Sequence, residues 1–200
     1  MTLEGTVNKT IIALLLLFFS ASYSYSNANT SFVWMGFIIG FVLAIVTIFK
    51  KEWAPITVPM YAILEGLALG SVSYLYNTQY EGIIIQAISL TVLILFSMLF
   101  AYRTKIIKPT ENFKLGVFAA TGGVALLYII SFIMSFFGGG ISLLSTQNSS
   151  MMSIGLSLAI IVIASLNLVI DFDFIEEGAE KGAPKYMEWY GAFGLLVTLI

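Results

Sequence analysis

Seven stretches of this chain are apolar over lengths close to a bilayer crossing, and little sequence remains between them. A spanning helix needs about 20 mainly apolar residues; the runs fall near 10–25, 32–49, 55–74, 82–102, 115–137, 151–170 and 185–200. In hydrocarbon each backbone N–H and C=O must be satisfied by its own helix or by a closed barrel. Continuous apolar runs of this length therefore predict helices, and the expected fold is an all-α membrane protein forming a single transmembrane domain over residues 1–200. Composition agrees, since 10% of residues are charged and 59% are hydrophobic, whereas a soluble domain carries about 25% charged residues. The seventh run reaches Ile200 after about 12 apolar positions, short of a full span, and reads as a helix cut short.

The first run has a rival reading. Lys9, the apolar Ile11 to Phe19 and the small Ser20, Ala21 and Ser22 also fit a secretory signal peptide. The distribution of basic residues favours a span. All nine lie at four connections: Lys9; Lys50 and Lys51; Arg103, Lys105, Lys108 and Lys114; Lys181 and Lys185. The connections at 26–31, 75–81 and 138–150 hold none. Basic residues concentrate on the cytoplasmic side of a membrane, so this alternation puts the N-terminus in the cytoplasm of a multi-pass membrane protein. Removing one helix would scramble the pattern. Tyr, Trp and small residues add detail. Trp34, Tyr74, Tyr76 and Tyr80 fall at the outer boundary, and Trp53, Tyr102, Tyr186, Trp189 and Tyr190 at the inner one, as interfacial belts do. Gly36/Gly40, Gly66/Gly70 and Gly122-Gly123 predict close helix approach. Pro59 should bend the third helix.

The chain has no cysteine and no histidine. That removes disulfides, thiolate chemistry and most zinc sites, together with the usual side chain that titrates near neutrality. No P-loop or dinucleotide fingerprint is present, no GxGD stretch suggests an intramembrane aspartyl protease, and no lysine sits in mid-helix to hold retinal. A net charge of −2 without a basic patch argues against nucleic acid. The chain is expected to be no enzyme and to carry no cofactor.

Acids in apolar runs are the remaining signal, because an ionisable group in a bilayer is costly and marks a functional site by default. Glu65 lies ten residues into the third run, about 15 Å deep at ~1.5 Å per residue. It is either a neutral carboxyl that joins two helices or part of an ion pathway. Asp171 ends the sixth run, with Asn167 one turn earlier on the same face. Asp173 points roughly the other way for as long as the helix persists. The plain reading of Asp173 is a solvated acid continuous with Glu176, Glu177 and Glu180; Asp171, in phase with Asn167, fits it less well. Oxygen ligands without nitrogen or sulfur suit hard cations such as Ca²⁺, so Asp171 is the candidate Ca²⁺ ligand. Two carboxylates sharing a site titrate with split apparent values, a pH switch that needs no histidine.

The opening MTLEGTVNKT, the segment YAILEGLALG, the ATGGVALLY of the fifth run and LNLVIDFDFIEEGAEKGAPKYMEWYGAFGLLVTLI together resemble the bacterial, YccA-type branch of the Bax inhibitor-1 family. The resemblance spans essentially the whole chain. It implies a seven-helix bundle with the seventh helix at its centre. It also implies a pH-sensitive calcium leak in which an aspartate late in the sixth helix, here Asp171, pairs with an acid in the seventh. That second acid has no counterpart between Trp189 and Ile200. Glu65 matches a third-helix acid common in the family, and Lys50 or Lys51 resembles a basic residue able to neutralise the aspartate.

Three functions follow as expectations. The first is a Ca²⁺ leak set by protonation around Asp171. The second is a regulator that restrains a membrane-anchored ATP-dependent protease, as some relatives do. The third is an ion-coupled transporter, which would require broken half-helices.

Overall fold

Segments that cannot leave a backbone group unpaired in lipid become long helices, and the computed structural model shows little else. It describes residues 1–28, 30–144 and 150–200. Among them are seven α-helices and no strand: α1 (Leu3–Ser26), α2 (Phe32–Phe49), α3 (Ala54–Gln79), α4 (Ile83–Arg103), α5 (Glu111–Phe136), α6 (Met151–Glu180) and α7 (Met187–Leu199). One 3₁₀ turn, Lys51–Trp53, leads into α3 and another, Ser142–Leu144, precedes α6. Six helices, α1 to α6, are long and apolar enough to cross a membrane. With 13 residues, α7 is shorter than a span. The protein is thus an all-α membrane protein, with six helices of spanning length and a shorter seventh. The basic-free connections at 26–31 and 138–150 lie partly outside the described residues.

Several helices run past the apolar stretches that predict them. Thr2 caps α1, its hydroxyl accepting from Gly5 N at 3.0 Å, so the helix starts seven residues before the apolar run, in agreement with the preference for Thr at N-caps. Thr110 caps α5 in the same way, accepting from Phe113 N at 3.3 Å. At its start α3 carries Pro55, where no N–H is missed, and it stays helical through Pro59. The largest extension is in α6, which continues ten residues beyond Ile170 to Glu180 and takes Asp171 and Asp173 with it. Gly182, at φ +65°, then supplies the left-handed residue that ends it, with Gly182 N donating to Ala179 O and Ala183 N to Gly178 O.

Two compact units are present: residues 1–96 with 171–200, and residues 97–170. In the first, α1, α3 and α7 share a core of Ala13, Leu17, Val58, Tyr61, Phe193 and Leu196, in which Tyr61 meets Phe193 edge-on at 5.2 Å. Close approach comes from glycine. A Cβ on Gly66 would strike Ser20 Oγ and Leu17 O, and one on Gly70 would strike Ala21 O, all on α1. On α2, a Cβ on Gly36 would lie 2.6 Å from Leu64 O and 2.7 Å from Ala68 Cβ of α3. Hydroxyl pairs join the same helices, Ser24 with Ser71 at 2.6 Å and Thr47 to Thr57 at 2.7 Å. In the second unit α5 and α6 are joined by Asn167 Nδ2 donating to Thr121 Oγ1 at 2.8 Å. Gly122 and Gly123 behave differently from the other glycine pairs: nothing lies within 4 Å of a Cβ at either, so there is no close approach at these positions among the described residues.

Candidate functional site around Asp171

The path of α6 decides what Asp171 can do. Because the helix does not stop at Ile170, Asp171 is held on a rigid element and is half-buried. Its Oδ2 accepts a hydrogen bond from Thr198 Oγ1 at 2.6 Å. One turn earlier on α7, Gly194 leaves room for the carboxylate: a Cβ there would lie 3.1 Å from Asp171 Oδ1. Gly194 and Thr198, four residues apart, therefore form a notch with a donor at one end, and Asp171 fills it. α7 is held to α6 a turn beyond, where Ile175 Cγ1 lies 3.0 Å from the Cβ position of Gly191.

The other site residues read from the sequence are distributed elsewhere. Asn167 gives its amide to Thr121 and to Ile163 O at 2.9 Å, so its side chain serves the α5–α6 contact. Asp173 is half-buried on the same continuous helix, with the roughly opposite orientation that two residues of helix impose. Lys50 ends α2, and Lys51 sets its ammonium 5.0 Å over the Tyr190 ring, a cation–π contact. Among the described residues neither lysine forms an ion pair with Asp171. Glu65 is 6% exposed, far from being solvated, and its Oε2 has no hydrogen-bond partner among the described residues.

Ca²⁺ takes six to eight oxygen ligands. Asp171 and Thr198 supply far fewer, and no group of three or more acidic side chains converges among the described residues. Asp171 and Thr198 by themselves do not make up a Ca²⁺ ligand set among the described residues.

A second polar centre has less of a sequence signal. Glu188, in the first turn of α7, is 3% exposed. It accepts from Thr2 N at 3.0 Å, Thr2 Oγ1 at 3.1 Å and the Lys9 ammonium, while Lys9 also lies over the Trp189 ring. The hydrogen bond from Lys9 is the main reason that the Glu188 carboxyl is held below the ordinary carboxylate range; burial opposes it and the two bonds from Thr2 assist. Glu188 lies outside the six spanning helices. Its only cue in the sequence is an acid just before the aromatic pair Trp189-Tyr190. Thr198 has a cue too, as a hydroxyl one turn after a glycine, but the partner on α6 is not legible from that spacing.

A family profile described as Bax inhibitor 1 like matches residues 1–200, the entire chain. The chain belongs to the Bax inhibitor 1 like family. No curated protein and no solved structure matches it. Membership of the Bax inhibitor 1 like family agrees with the six apolar helices in making this a multi-pass membrane protein.

Proposed function

We propose that this protein is a pH-sensitive leak for Ca²⁺ in the bacterial inner membrane, with its N-terminus in the cytoplasm and Asp171 as the group whose proton sets the leak. The observation that carries this reading is the hydrogen bond from Thr198 to Asp171 over Gly194. It covers an acid with α7 while leaving it partly accessible to solvent protons.

A hydrogen bond to an ionised acceptor is roughly twice as strong as one between neutral groups. An ionised Asp171 therefore holds α7 firmly against α6, and protonation weakens that contact. Acidification loosens the closure and the leak rises. The orientation is supported by the meeting of three basic connections at one end of the first unit: Lys9 pairs with Glu188 in the first turn of α7, and Lys51 covers Tyr190. The packing of α7 beside α1 and α3 in the shared core supports the central seventh helix that the resemblance implies.

The test is Ca²⁺ efflux from liposomes that hold purified protein and an entrapped indicator. Efflux is expected to exceed that of protein-free liposomes and to rise as pH falls over roughly pH 8 to 5, the range in which histidine-free proteins must rely on shifted carboxyls. Efflux equal to the protein-free control, or flat with pH, contradicts the reading.

A further inference from the structure

A buried acid with an idle oxygen, packed against a glycine, lies away from the Asp171 notch. Glu65 is on α3, eleven residues after Ala54 and so about 17 Å along the helix at ~1.5 Å per residue. Its Oε1 faces Gly40 of α2 so closely that a Cβ there would lie 2.6 Å from that oxygen and 3.2 Å from Cδ. Its Oε2 is buried without a hydrogen-bond partner among the described residues. Among the described residues no ion pair reaches it. α2 has no titratable side chain along Phe32–Phe49. α1 turns Leu17, Ser20, Ala21 and Ser24 toward α3; its charged Glu4 and Lys9 lie at its start, and Tyr23 and Tyr25 near its end. α7 carries Glu188 and Tyr190 near its start, and Lys51 and Glu52 precede α3. On α3 itself Tyr61, one turn earlier, is a titratable group within electrostatic reach of Glu65.

We propose that Glu65 is a proton-binding site that latches α2 to α3: carrying its proton the carboxyl seats in the Gly40 notch, and releasing the proton requires the α2–α3 seam to part and admit water. The physical reason lies in the surroundings. A carboxylate whose Oε2 has neither a cation nor a donor among the described residues is poorly compensated for its lost hydration, whereas a neutral carboxyl leaves only a hydrogen bond unmade. Water enters only if α2 moves, because Gly36 and Gly40 leave no gap in the seam. The pair Thr47 and Thr57, nearer the start of α3, gives the parting seam a hinge end.

The latch is separate from the leak, and its test reads distance rather than flux. The chain has no cysteine, so spin labels on Trp34→Cys and Tyr76→Cys, exposed positions on α2 and α3, report the seam alone by double electron–electron resonance in nanodiscs. The expected result is a short distance at low pH that lengthens as pH rises, a distance that stays short at every pH in Glu65→Gln, and an unchanged pH response in Asp171→Asn. A distance independent of pH in the unmutated background, or the same pH response in Glu65→Gln, overturns the proposal. Should Glu65→Gln fail to fold, infrared difference spectra in the Asp171→Asn background decide it. The carbonyl stretch of a protonated carboxyl must fade in step with the lengthening, and lengthening without loss of that band overturns the latch.

Discussion

At the scale of single residues, the polar groups of this protein divide into those that are satisfied and those that are not. Glu188 is satisfied three times over by Thr2 and Lys9. Since its carboxyl is held below the ordinary range in the fold, it contributes stability above the unfolded value of about 4.3, and that contribution is lost as pH falls through the lower folded value. Melting temperature measured in detergent should therefore drop on acidification below about pH 4, and Glu188→Gln should melt lower at neutral pH with a shallower acid slope. Each kcal/mol lost corresponds to roughly 2–4 °C for a chain of this size. An identical acid slope in both proteins contradicts this role. Asp171 was visible in the sequence as an acid out of place, but its partner was not. The expectation of a charged neighbour rests on charge being readable along the chain, whereas the hydroxyl of Thr198 reaches Asp171 only because two helices bring positions 27 residues apart to 2.6 Å.

At the scale of elements, glycine pairs in apolar helices have opposite structural outcomes. Gly66 and Gly70 are spaced by four residues and seat α3 against the backbone of α1; Gly122 and Gly123 occupy an equally apolar helix with open space at both. Spacing within a helix identifies a surface able to approach closely but not the partner that approaches it. Gly66→Ala and Gly122→Ala should therefore differ in sign. The first forces α1 and α3 apart at an overpacking cost of about 1–3 kcal/mol, while the second gains roughly 0.5–1 kcal/mol of helix propensity with nothing to strike. Thermal melts of the two variants check this, and destabilisation by both contradicts it. Helix boundaries followed the apolar runs wherever the boundary coincides with hydrocarbon. They missed the starts of α1 and α5, set by the Thr2 and Thr110 caps, and the end of α6, set by Gly182. Caps and turns respond to hydrogen bonding rather than to hydropathy.

At the scale of the whole molecule, hydropathy and charge carried most of the information. The all-α membrane class and the family assignment follow from the apolar runs and the motifs, although the runs predict seven spans and six helices are long and apolar enough to be one. Large side chains such as Phe100, Phe132 and Phe136 point outward, in the manner of surfaces that meet lipid rather than water. Two of the four basic connections, through Lys9 and Lys51, meet the start of α7. Function is less legible, because a leak requires only a few polar groups and a closure that yields. In the proposed reading those groups are Asp171, Thr198 and the notch at Gly194. The most direct measurement is the pH profile of Ca²⁺ efflux for Asp171→Asn beside the unmutated protein in the same liposomes. The proposed leak requires the variant, which can hold no charge at this position, to lose the dependence on pH; a variant that folds and retains the original profile contradicts it.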